Sequence, residues 1–135
     1  MPPEDYGKSL PFFTVNLLVR DLAMSIAFYK DVLEAKVVYS DADFAALRVK
    51  DWEFMLHADH AYDHHAWHAS LRSSHPRGLG AELRLFHTDP DAVESRAKRF
   101  GAKILQACQD KPHGWRDVIV EDPDGYTWAV GIAKK

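Results

Sequence analysis

One order of elements is written twice along this chain. Residues 12–58 read strand, helix, strand, strand, strand, and residues 81–133 repeat the series. In the first half Phe13, Val15, Leu17 and Val19 alternate with Thr14, Asn16 and Leu18, the two-residue period of a strand. Asp21 is a natural N-cap, and Leu22, Ile26, Tyr29 and Leu33 follow at helical spacing. Strands are predicted over 36–39, 44–49 and 52–57, the last two joined by a turn at Lys50-Asp51. The second half has a strand over 82–87, then Asp89-Pro90 as N-cap and first helical residue. Val93, Ala97 and Phe100 form that helix's apolar stripe, and Gly101 closes it. Strands over 103–107, 115–120 and 126–132 complete the cycle, with Asp122-Pro123-Asp124-Gly125 as a turn. A duplication of this kind fixes most of an architecture, because each half must be built alike.

The stretches outside the repeats read differently. Residues 1–11 form a proline-rich, charged leader, carrying Pro2, Pro3, Glu4 and Asp5, with no secretory pattern. Residues 59–80 form a connector with His60, His64, His65, His68 and His75, then Pro76, Arg77 and Gly78. Hydrophobic residues make up 47% of the 135 positions, enough apolar surface to fold and too much for a disordered chain. No apolar run reaches the roughly 18 residues of a membrane span. A net charge of −3 and no basic stripe argue against nucleic acid as a partner. The single cysteine, Cys108, excludes an internal disulfide, so a cytoplasmic location is expected. No base or cation adjoins it in sequence, so it reads as structural.

The run LVRDLAMSIAFYKDVL over 18–33 resembles the first-helix signature of the vicinal oxygen chelate superfamily. GWRD over 114–117, leading into EDPDGY over 121–126, is similar to its final hairpin. That superfamily includes glyoxalase I, bleomycin-resistance proteins and extradiol dioxygenases, and the resemblance covers about residues 12–132. It implies an α+β fold of two βαβββ modules forming a cup-shaped mixed sheet, with helices outside and a ligand cavity inside. It also implies a homodimer.

Metal-dependent members of the superfamily place one ligand on the first and one on the last strand of each module. Counted from the motifs, those positions fall on Thr14, Met55, Glu82 and Ala129. Only Glu82 is a good ligand, and one carboxylate does not make a divalent site. No cofactor is expected on this count, although a divalent metal is not excluded. A register slip at the fourth strand would bring Glu53 or His57 nearer, but the neighbours of Thr14 and Ala129 are apolar.

The rival metal site is His60, His64 and His68, spaced to share one face if the segment is helical. The other reading is an exposed connector, which the missing acidic context favours. Alternation puts Asn16, Met55, His57, Glu82 and Arg84 toward the cup. His57 suits proton transfer at neutral pH, and packing at the cup rim is its other reading. Glu82 and Arg84 form an ion pair on one strand face, either gripping a polar ligand or simply solvated. Trp115 is placed to stack on a flat or cationic ligand, and only one of Arg116 and Asp117 can face inward. Trp52, Trp67 and Trp128 read as packing residues, Trp128 beneath the helices.

Three functions follow, in order of preference. The first is a bleomycin-resistance-like protein binding a small polar or aromatic molecule in a metal-free cavity. The second is a metal-dependent enzyme of lactoylglutathione lyase, epimerase or dioxygenase type. The third is a metal-free enzyme with His57 or Glu82 as general base.

Overall fold

The computed structural model describes residues 5, 8–10, 12–66 and 68–134. Its elements are β1 (Asn16–Val19), α1 (Leu22–Leu33), β2 (Lys36–Ser40), β3 (Phe44–Val49) and β4 (Trp52–Ala58). Two short 3₁₀ turns follow, Asp59–Tyr62 and Ser70–Arg72. The second cycle is β5 (Glu82–Phe86), α2 (Pro90–Phe100), β6 (Lys103–Asp110), β7 (Trp115–Glu121) and β8 (Thr127–Ala133). One four-stranded sheet has the order β1-β4-β3-β2 and the other β5-β8-β7-β6. In each, the module's first and last strands pair in parallel and the remaining pairs are antiparallel. Both expected βαβββ modules are present, as two open sheets and not as one continuous ladder.

Local signals set the helix ends. Asp21 accepts a hydrogen bond from the Met24 amide at 3.1 Å and starts α1. Asp89 accepts from the Asp91 and Ala92 amides, and Pro90 fills a position that needs no donor. Gly101 ends α2 at φ 86°, a left-handed turn that favours glycine.

The first strand is shorter than its alternation predicts. It begins at Asn16, leaving Phe12 and Phe13 exposed outside the ladder. An apolar alternation supplies a face but no backbone partner; the ladder with β4 runs over residues 16–19, with one further bond from the Met55 amide to the Val15 carbonyl at 2.9 Å. Leu10, within the expected leader, packs against Phe44 and Ala46 on the face of the first sheet away from α1. Pro2, Pro3 and Glu4 lie outside the described residues, as does Trp67.

The helix-facing sides of the two sheets share one core. Phe28, Tyr29, Phe54, Val93, Val120 and Trp128 lie in it, none more than 1% exposed. Each such side chain contributes roughly 1.5–3 kcal/mol by burial. Trp128 sits beneath the helices as expected, donating through Nε1 to the Tyr29 hydroxyl at 3.1 Å. Tyr29 donates in turn to Asp122 Oδ2 at 2.5 Å, joining α1 to the turn before β8.

The connector is docked against that same turn. The Arg77 amide donates to the Asp124 carbonyl at 2.9 Å. A Cβ added at Gly78 would lie 2.6 Å from the Gly125 carbonyl oxygen, and one at Gly125 would lie 2.6 Å from Pro76 Cβ. Only glycine permits this approach at both positions. Residues 70–77 are thereby held beside β1.

Candidate functional site

Strand pairing assigns the side chains to faces. Asn16 pairs with Met55 and Leu18 with His57 across β1 and β4. Phe44 and Ala46 of β3 oppose His57 and Met55. Asn16, Leu18, Phe44, Met55 and His57 therefore share the face turned away from α1. On the second sheet Glu82 and Arg84 pair with Thr127 and Ala129, and Asp117 opposes Gly131. These two faces are built from equivalent strands. Among the described residues, no hydrogen bond, ion pair or ring contact joins one face to the other.

The first face carries a polar network. His57 Nδ1 lies 2.5 Å from Asn16 Oδ1, and Asn16 Nδ2 donates to the Tyr62 hydroxyl at 2.7 Å. Phe44 stacks on the imidazole, with centroids 5.1 Å apart and planes 14° apart. Tyr62 meets the ring edge-on at 5.5 Å. Burial pushes the His57 pKa below its usual value, against the opposing pull of Asp41 and Asp43. Burial therefore favours the neutral imidazole. No hydrogen bond from a described residue reaches its Nε2.

Asn16 is also a wall of a cavity of about 540 Å³. Leu18, Leu71, Pro76 and Tyr126 give it apolar lining, and Ser70, Ser73, His75 and Arg77 give it polar groups. Arg77 bolts this cavity together. Its guanidinium donates to both Asp59 carboxylate oxygens at 2.6 Å, and to the Leu18 and Leu71 carbonyls at 3.1 and 2.9 Å. Asp59 holds the Arg77 pKa above its usual value. The Tyr126 hydroxyl donates to the Leu18 carbonyl at 2.9 Å, closing the other side. Of the site residues predicted from sequence, only Asn16 lines this cavity. The connector side chains and Tyr126 were missed. Their one sequence signal is the glycine after Arg77, which matches the glycine before Tyr126.

The second face holds smaller features. Glu82 and Arg84 pair at 2.6 Å with both side chains largely exposed. Phe86 and Trp115 meet at 5.3 Å beside Gly131. Asp117 faces inward and is 8% exposed, accepting from Gln106 Nε2 at 3.0 Å with Lys111 at 3.7 Å. Arg116, grouped with the ligand-facing residues on sequence grounds, projects to the helix side. Asp91 on α2 and Asp110 hold it there, at 2.7 and 3.0 Å. Strand alternation allows one inward residue of the pair, and the acidic partners on the helix side draw the arginine outward. Cys108 lies on that side too, its thiol pushed up to about 12 by burial and by Asp91. Burial thus favours the protonated thiol, the less nucleophilic form.

The donor set does not fit a divalent ion. The Thr14 hydroxyl donates to the Glu53 carbonyl at 2.9 Å, Glu82 is paired with Arg84, Met55 is a thioether, and Ala129 has no donor. The connector histidines do not share a face. His60 sits in the first 3₁₀ turn and pairs with Asp43 at 2.7 Å. His64 follows in irregular turns, and His68 contacts Arg72 at 3.0 Å. No group of three or more His, Cys, Asp or Glu among the described residues is arranged to hold a metal ion.

Comparison with known proteins gives these features a context. An uncharacterised protein of Mycobacterium bovis is 31% identical over 127 residues, spanning 90% of this chain and 82% of that one. An uncharacterised Mycobacterium tuberculosis protein is equally similar, with 74% of its length covered. A glyoxalase/bleomycin resistance protein/dioxygenase family enzyme from Burkholderia phytofirmans superposes with TM-score 0.74 at 19% identity, covering 89% of this chain and 96% of that one. The fosfomycin resistance protein FosX of Listeria monocytogenes superposes with TM-score 0.69 at 13% identity, covering 93% and 94%. At those identities the structural likeness concerns the fold. The family profile matches residues 11–130. The chain belongs to the glyoxalase/bleomycin resistance protein/dioxygenase superfamily.

Proposed function

We propose that this protein binds a small organic molecule without a metal ion, as a cytoplasmic homodimer. The observation that carries the reading is the cavity beside β1. Its volume of about 540 Å³ lies within the usual range for small-molecule pockets, and its mix of apolar walls and a few polar groups is typical of them. The unsuited donor set at Thr14, Met55, Glu82 and Ala129 supports the metal-free part. The dimer is supported by β5 and β6, the edge strands of the second sheet, which carry Phe86 and Leu105, apolar side chains 44% and 47% exposed. The location rests on the single unpaired cysteine. No helix among the described residues is long and apolar enough to cross a membrane.

A second reading, metal-free acid–base chemistry, draws support from His57 Nε2, which no described residue hydrogen-bonds. Glu82 offers it none, since Arg84 already holds its carboxylate.

The test is a thermal-shift screen of small molecules on protein dialysed against chelator, with Ser70→Trp as a cavity-filling variant. Hits that stabilise the parent and not the variant support the reading. Hits that stabilise both alike, or that need added Zn²⁺, Ni²⁺, Mn²⁺ or Fe²⁺, overturn it.

A further inference from the structure

Three polar side chains are joined on a sheet face that is otherwise largely apolar. The hydrogen bonds of such a network fix the orientation of its members. Here Asn16 is satisfied at both ends, by His57 and by Tyr62, yet the chain stops at His57. The imidazole is not loose. Phe44 covers one plane of it, Tyr62 meets its edge, and Nδ1 is bound. Asn16 Nδ2 donates to Tyr62, which turns its carbonyl oxygen toward His57. An amide oxygen only accepts, so Nδ1 carries the hydrogen and Nε2 presents a lone pair.

We propose that His57 Nε2 is the ligand-facing hydrogen-bond acceptor of this protein, fixed as the Nδ1–H tautomer by Asn16 and Tyr62. The molecule it takes is neutral and bears an exposed O–H, as a phenol or an enol does. The proposal rests on the reading of the protein as a small-molecule binder. Asp41 and Asp43 are the carboxylates whose charge acts on the ring, and they disfavour an anionic group beside it. A group with no donor hydrogen would leave the nitrogen lone pair facing it unpaired. Phe44 and Met55 on the same face supply apolar contact for a flat ring. Asn16 and Tyr62 are positioning residues, acting through His57.

The experiment has two parts. Nitrogen-detected NMR of the histidine side chains reads the tautomer with no ligand present. His57 is expected as Nδ1–H in the parent and as a mixture richer in Nε2–H in Asn16→Leu. An Nε2–H His57 in the parent overturns the proposal, because it means that Asn16 is turned the other way and the ring offers a donor.

The second part compares 4-methylphenol, which is neutral at pH 7, with 4-methylanisole, its methyl ether, by calorimetry on the parent and His57→Phe. Phenylalanine keeps a ring on Phe44 and removes the acceptor together with the Nδ1–H that Asn16 binds. The phenol should bind the parent about three- to tenfold tighter than the ether, a net hydrogen bond's worth, and the preference should vanish in the variant. Equal binding, or a preference that survives in His57→Phe, overturns the assignment and leaves the cavity reading standing. If neither probe binds the parent, the assignment falls; if the screen also yields no molecule that Ser70→Trp excludes, the binding reading falls with it.

Discussion

Tyr29 donates to Asp122 at 2.5 Å, and this bond ties the helix of the first module to the final turn of the second. Asp122 also accepts from the Asp124 and Tyr126 amides at 2.9 Å. These bonds favour its charged form, but burial outweighs them and raises its pKa to about 6. The native state therefore holds a proton that the unfolded chain has released above its usual value near 4. Stability contributed by this group is full below pH 4 and is lost as pH rises toward 6, flattening above. The difference amounts to roughly 2–3 kcal/mol. Asp41, Asp91 and Asp110, whose pKa values are lowered, impose the opposite slope. The measurement is thus urea unfolding of the parent and Asp122→Asn across pH 4 to 7. The parent-minus-variant stability should fall with rising pH, and a flat difference would refute the account.

The meeting of Gly78 with Gly125 makes a second prediction. Gly78→Ala drives a methyl into the Gly125 carbonyl oxygen and Tyr126 Cα, both 2.6 Å away. Backbone cannot yield cheaply, so a loss of about 1–3 kcal/mol is expected. Gly80→Ala is the control: φ is +94° but no atom lies within 4 Å, so only the left-handed strain of about 1 kcal/mol remains. Equal losses at the two positions in denaturant unfolding would show that the docking of the connector contributes nothing.

Those two contacts also explain what could be read from the sequence. The capping residues Asp21 and Asp89, and the turn at 122–125, act on atoms within a few residues of themselves, so their pattern is their structure. The inward face of β4 was legible for the same reason, since alternation places Met55 and His57 together. The start of β1 was not, because pairing depends on where β4 lies and not on the alternation of Phe13 and Val15. Nor was the cavity. Its wall is made by Arg77 reaching Asp59, Leu18 and Leu71, and no local pattern encodes such contacts. Tyr62, a member of the network around His57, was hidden in the same connector.

Arg77 should be the most sensitive residue of the cavity wall. Its side chain is 8% exposed, while Asp59 is 32% exposed. Arg77→Met leaves a half-buried carboxylate and the Leu71 carbonyl without their donor, while Leu18 keeps Tyr126, and about 2–4 kcal/mol should be lost. Adding Asp59→Leu removes the stranded charge and should recover part of that loss. A double variant no more stable than the single one would mean that the cost lies in the Leu71 carbonyl instead. Either variant should also abolish hits that depend on the cavity.

The separation of the two faces predicts how an engineered metal site would behave. Thr14 and Met55 lie in the first module, and Glu82 and Ala129 on the face of the second. In one chain no contact joins these faces among the described residues. The combined variant Thr14→His, Met55→Glu, Ala129→Glu, with Glu82 kept, brings three or four ligands together only if a second copy supplies its module opposite the first. Calorimetry should then find tight Zn²⁺ binding at one ion per chain in the dimer. Sedimentation of the same variant should show zinc shifting the monomer–dimer balance toward the dimer, since metal bound between copies stabilises their association. Zinc bound tightly by a species that sediments as a monomer at every concentration would mean that one chain closes its own cup. The homodimer would then lose its structural motive.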